Sequence, residues 1–127
     1  MSEDIIERLQ YLAQTEQTRE QARELCLKTL RDEPSAHRVR LWLAKLYYLD
    51  RMLEFSIREL LYLRGLIGGH DSLDALLDSI SKKSARYASM VAKEMGRAQG
   101  EFSDEREVAE LDFESEFADA LENSEEE

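Results

Sequence analysis

The stretch from Pro34 to Gly69 constrains this chain more than any other. It holds two apolar patterns at helical spacing, back to back, parted by Asp50-Arg51. Leu43, Ala44 and Tyr47 share one side of the first pattern, and Ser56, Leu60 and Leu63 share one side of the second. Ala44 and Ser56 are the small residues on those faces, and small side chains let two helix backbones approach closely. So short a connection makes the second helix return antiparallel to the first. The first pattern is apolar nearly all round, with Leu41, Trp42, Leu43, Leu46, Tyr47, Tyr48 and Leu49. That predicts a central helix with neighbours on more than one side. Tyr47 is expected in the core. Trp42 and Tyr48 lie on other sides of the helix, so at least one of them is expected at the surface or an interface.

The rest of the body reads as helix too. Helix 1 is expected from about Asp4 to Gln14, with Ile5, Leu9, Leu12 and Ala13 on one side. Thr18 with Gln21 three residues on looks like a capping box opening helix 2. That helix runs to about Asp32 with Ala22, Leu25, Cys26, Thr29 and Leu30 as its stripe, and Pro34 forces its end. Ser35 is placed to cap helix 3, about Ala36 to Leu49. Helix 4 reads from about Leu53 to Ile67, and Gly68-Gly69 is a stop signal. Asp71 would cap helix 5, with Asp74 near its positive end. One long helix 5, from Ser72 to about Gly96, follows Leu73, Leu77, Ile80, Tyr87, Val91 and Met95, with Ser84 interrupting the stripe. It would span about 36 Å.

Charge divides the chain. The formal net charge is −11, but residues 101–127 hold 13 Asp/Glu and one Arg, a net of −12. Residues 1–100 hold 15 acidic and 16 basic residues, a net of +1. The expected organisation is an all-α domain over 1–100 and an acidic tail over 101–127. The tail carries Phe102, Phe113 and Phe117 among the acids, and Ala109, Phe113, Phe117 and Leu121 stand four apart. So few apolar residues amid so much charge cannot hold a fold alone, so disorder or nascent helix is expected there. Phe113, Phe117 and Leu121 are nevertheless a candidate binding motif. The single cysteine, Cys26, excludes an internal disulfide framework and suits a reducing compartment. The first residues lack the apolar core of a secretory signal, and no run approaches the roughly 18 apolar residues of a membrane helix. A cytoplasmic protein without membrane contact is the expectation.

Catalytic patterns are missing. His37 and His70 stand 33 positions apart, there is no HExxH and no cysteine pair, and Gly65 to Gly69 ends a helix instead of following a strand. Cys26 falls on a packing position, where a buried small hydrophobe is the plainer reading. The expectation is a protein that is not an enzyme and needs no cofactor or metal.

The helix pair resembles the tetratricopeptide repeat, a 34-residue helix–turn–helix unit. The segment WLAKLYYLDRMLEFSIRELLYLRGL, Trp42 to Leu66, carries the large-small-large pattern of that family at Leu43, Ala44, Tyr47, Ser56, Leu60 and Leu63. One period upstream, Ala22 and Cys26 match Ser56 and Leu60, and Pro34 stands where such repeats often end. Helix 1 departs, with Gln10 at the position of Ala44 and Ala13 at that of Tyr47. The resemblance spans about Ile5 to Ile67 and implies antiparallel helix–turn–helix repeats of about two units, with helix 5 as a long capping helix. Stable stacks usually need three units. Either helix 5 completes the core or the protein forms a homodimer.

The resemblance also implies a concave groove lined by the first helix of each unit, which binds extended peptides. Its residues here would be Arg8, Tyr11, Arg38, Leu41, Lys45, Tyr48, Ser79 and Lys82. That surface is cationic and aromatic and would suit an acidic peptide with bulky apolar anchors. The family's asparagines for a C-terminal carboxylate are absent. Lys82, Lys83, Arg86, Lys93 and Arg97 make helix 5 basic. A nucleic-acid role is argued against by the acidic tail, which competes for the same charges, and the tail itself can visit that basic surface. The functional expectation is a non-catalytic protein–protein interaction module, a small adaptor for an acidic or amphipathic segment of a partner, with the tail as a second binding element or gate. The alternatives are a small cytosolic chaperone for a secreted or assembling partner, and a self-assembling structural protein.

Overall fold

The computed structural model describes residues 2–67, 70–82, 85–95 and Phe117. These residues are all-α, with no strand among them: α1 (Ser2–Leu12), α2 (Glu16–Asp32), α3 (His37–Leu49), α4 (Leu53–Ile67), α5 (Asp71–Ser81) and α6 (Ala85–Met95). The chain forms two compact units, Met1–Ser56 and Ile57–Glu127, with the boundary inside α4.

In the first unit α1, α2 and α3 pack on one another. Ile6, Leu9 and Leu12 of α1, Ala22, Cys26 and Leu30 of α2, and Val39, Trp42, Leu43 and Leu46 of α3 make one buried apolar cluster. The heptad-like spacing within each helix puts these residues on one stripe, so three stripes meet in one core. Each fully buried Leu contributes roughly 1.5–3 kcal/mol relative to exposure. Helix α3 is the central element anticipated from its pattern. Leu41 through Leu46 are six consecutive buried residues, and His37, Val39 and Tyr48 are buried as well.

The small pair does what its size permits. The Ser56 hydroxyl donates to the Ala44 carbonyl at 2.8 Å, and both residues have no exposed surface. A larger side chain at either position would hold these two backbones apart. The turn between α3 and α4 closes with the Arg51 amide donating to Tyr48 at 3.0 Å and the Met52 amide donating to Tyr47 at 2.8 Å. Arg51 takes the left-handed conformation this C-terminal motif requires, with φ of 64°.

Expectation and structure part at α2. It starts at Glu16, with Thr15 as an extended N-cap that makes no side-chain capping bond. Thr18 does not open the helix. Its hydroxyl turns back, donating to the Leu12 carbonyl at 2.5 Å and pairing with the Thr15 hydroxyl at 2.6 Å. Likewise Ala36, not Ser35, is the N-cap of α3, and His70, not Asp71, that of α5.

The second unit holds the larger correction. The single long helix 5 is two helices, α5 and α6, packed on each other. At the end of α5 the Ser81 hydroxyl donates to the Asp78 carbonyl at 2.9 Å and the Lys82 amide donates to the same carbonyl at 3.2 Å. Serines compete in this way with continued helical bonding. The two helices are in contact, and Leu73, Leu76, Leu77 and Ile80 of α5 and Val91 of α6 are buried. Arg64 of α4 donates through Nε to Asp74 of α5 at 2.8 Å, joining two elements of this unit. Asp71 and Asp74 lie in the first turn of α5, where negative charge is favourable.

Candidate functional site

The residues proposed to line a groove divide between the two units. In the first, Arg8 and Tyr11 are exposed on α1, three positions apart and so on one face. Tyr11 is 70% exposed, the most open large apolar side chain among the described residues. Arg38 is half-buried in the first turn of α3.

Leu41, Lys45 and Tyr48 are buried, at 1%, 6% and 5% exposure. An open trough would leave them accessible. Lys45 turns its ammonium over the Trp42 ring, 4.3 Å from the centroid, a cation–π contact that gains strength away from water. At 6% exposure its aliphatic stem is covered along with the charge, which long cationic side chains allow. In the second unit Ser79 is half-buried, and Lys82 is exposed and paired with Asp78 at 3.1 Å. An exposed pair at this spacing contributes at most a few tenths of a kcal/mol, about 0.3–0.5.

The aromatic residues of α3 also differ from expectation. Trp42 and Tyr48 are both buried, and Tyr47 is the one left half-open. Tyr47 packs against the core cluster on one side and stacks on Phe55 on the other, with ring centroids 5.4 Å apart and tilted by 32°. The Arg23 guanidinium lies 6.0 Å from the Tyr47 centroid. Arg23 also pairs with Asp50, to which Arg19 bonds at 3.1 Å. Arg19 reaches the carbonyls of Leu49 at 3.4 Å and Ala13 at 3.3 Å. Two arginines of α2 thus sit at the negative C-terminal end of α3 and hold its cap residue.

This network gives the first unit a second surface that pattern reading missed: Phe55, 48% exposed, stacked on Tyr47, with Arg23 beside it and Leu27, 46% exposed, one turn further along α2. The available signal was the short turn, which brings Tyr47 and Phe55 together across the α3–α4 corner. Tyr62 on α4 is 49% exposed.

Among the described residues no group of three or more His, Cys, Asp or Glu is placed to hold a metal ion, and no helix is long and apolar enough to cross a membrane. Cys26 is buried and forms no disulfide. Of the tail motif, Phe117 is helical and entirely buried. Phe113 and Leu121 lie outside the described residues, as do Lys83 and Arg97 of the basic stretch. No family model, curated protein or solved structure significantly matches the chain.

Proposed function

We propose that this chain is a non-catalytic protein–protein interaction module, a small adaptor of tetratricopeptide-like type that holds an acidic, amphipathic peptide segment of a partner. The observation that carries the reading is the Arg8–Tyr11 pair: an aromatic ring 70% open to solvent beside a cation on the same face of α1. Tyr and Arg are the residue types most enriched where binding energy concentrates. The close Ala44–Ser56 crossing supports the repeat-like packing that would present such a face.

The test is fluorescence anisotropy with a labelled synthetic peptide of alternating Glu/Asp and Phe/Leu. Binding is expected, weakened by salt as exposed ion pairs are screened. Tyr11→Ala and Arg8→Glu should each raise the Kd by about tenfold, the scale of a residue worth about 1.4 kcal/mol. Equal affinity for wild type and both variants overturns the reading. The half-open Tyr47–Phe55 stack favours a second reading, self-assembly through the first unit. Light scattering over a concentration series tests it, with a constant monomer mass overturning it.

A further inference from the structure

We propose that the outward face of α4 pairs antiparallel with the same face of a second copy of this chain. The proposal goes beyond the peptide-binding reading and uses none of its residues.

Ser56, Ile57, Leu60, Leu63 and Ile67 bury one side of α4. Phe55, Arg58 and Tyr62 stand exposed on the opposite side, and half-buried Gly65 continues their line. All four belong to one continuous helix, Leu53–Ile67, so helical geometry alone puts them on one face. Phe55 and Tyr62, one heptad apart, are 48% and 49% exposed. Gly65 is the unexplained member. Glycine is a poor helix former whose use is close approach or a left-handed turn. Gly65 is helical, and a Cβ placed on it would meet nothing within 4 Å among the described residues. Nothing described within the chain uses its smallness, whereas a helix docking from outside would.

The occupant follows from the order of the four residues. They stand three, four and three positions apart, a spacing that reads alike in both directions. Laid against itself antiparallel, the face sets Phe55 over the bare backbone of the second copy's Gly65, and Arg58 over the second copy's Tyr62. Two-fold symmetry makes each contact twice. The first is a ring in a hole, the packing that alternating three- and four-residue spacing gives paired helices. The second is a cation on an aromatic face. The flanking charges agree with this register: Glu54 falls opposite Leu66 and Glu59 opposite Leu61, so no like charges meet. Phe55 is also held in advance by its stack on Tyr47, which lowers the ordering cost of docking.

The test is sedimentation equilibrium of the full-length chain from about 1 μM to about 1 mM, the span of moderate to weak association. The mean mass should climb from 14.8 kDa toward twice that value. Tyr62→Arg sets cation against cation twice in each pair and should raise the dimer Kd at least about tenfold. Adding Arg58→Tyr exchanges the two contact groups and should restore the wild-type Kd, a rescue specific to this register. Gly65→Leu is the second variant, because the chain has room for its side chain. It should keep or raise the thermal midpoint at low concentration while weakening the dimer about tenfold or more. A mass fixed at 14.8 kDa at every concentration overturns the proposal. So does a folded double variant that fails to regain association. A dimer that Tyr62→Arg and Gly65→Leu leave intact overturns it too, and if Phe55→Ala removes that dimer, association runs through the Tyr47–Phe55 stack of the first unit instead. The peptide reading is judged separately by Arg8→Glu and Tyr11→Ala, which should leave the dimer unchanged.

Discussion

A single residue, Arg51, carries a conformation that L-amino acids adopt at a cost. With φ of 64° it occupies the position where glycine usually ends a helix. Left-handed backbone costs a residue with a Cβ about 1–2 kcal/mol. Glycine regains part of that and loses some through its freer unfolded chain. Arg51→Gly should therefore raise stability by about 0.5–1 kcal/mol in urea titration, and Arg51→Val should lower it. Ser56 is the opposite case, a residue chosen for smallness. Ser56→Leu should cost about 1–3 kcal/mol by overpacking against Ala44. Ser56→Ala, which removes only the 2.8 Å hydrogen bond to the Ala44 carbonyl, should cost about 1 kcal/mol or less. A larger loss for Ala than for Leu in the same titration would show that the bond, not the spacing, holds the crossing.

At the scale of elements, the ends of α3 matter more than its middle. Asp50 closes that helix and takes two arginines from α2, each about four-fifths buried. Removing the carboxylate leaves two partly buried cations beside each other. Asp50→Ala should destabilise by about 1–3 kcal/mol, the range for hydrogen bonds to charged groups. A double-mutant cycle with Arg19→Ala should return a coupling of at least about 0.5 kcal/mol, since the two side chains touch. A coupling near zero would mean that water satisfies the arginine equally well. The break between α5 and α6 belongs to this scale as well. Helical periodicity runs through Leu73, Ile80, Tyr87 and Val91 without a change of phase large enough to mark it. The local bonding at the end of α5 is a Ser81 hydroxyl that donates to the Asp78 carbonyl, the same carbonyl that accepts the last helical bond from the Lys82 amide.

For the whole molecule, the division at Ser56–Ile57 predicts two levels of local stability. Native-state hydrogen exchange in rising urea should sort the slow amides of α1–α3 and those of α5–α6 into two isotherms. One shared isotherm would mean a single cooperative unit. The sequence alone determined a good deal here. It placed α4 at its observed bounds, made α3 central, assigned Cys26 to the interior and put Ala44 against Ser56, because side chains three, four and seven apart share a helix face whatever surrounds them. Only the tertiary structure decided which of several apolar faces is covered. Trp42 and Tyr48 went in and Tyr47 stayed half-open. Lys45 folded over an indole ring, and Phe117 is fully buried. Periodicity counts faces along one helix, whereas burial is settled by what another part of the chain brings to each face, and that information lies in residues far away in sequence.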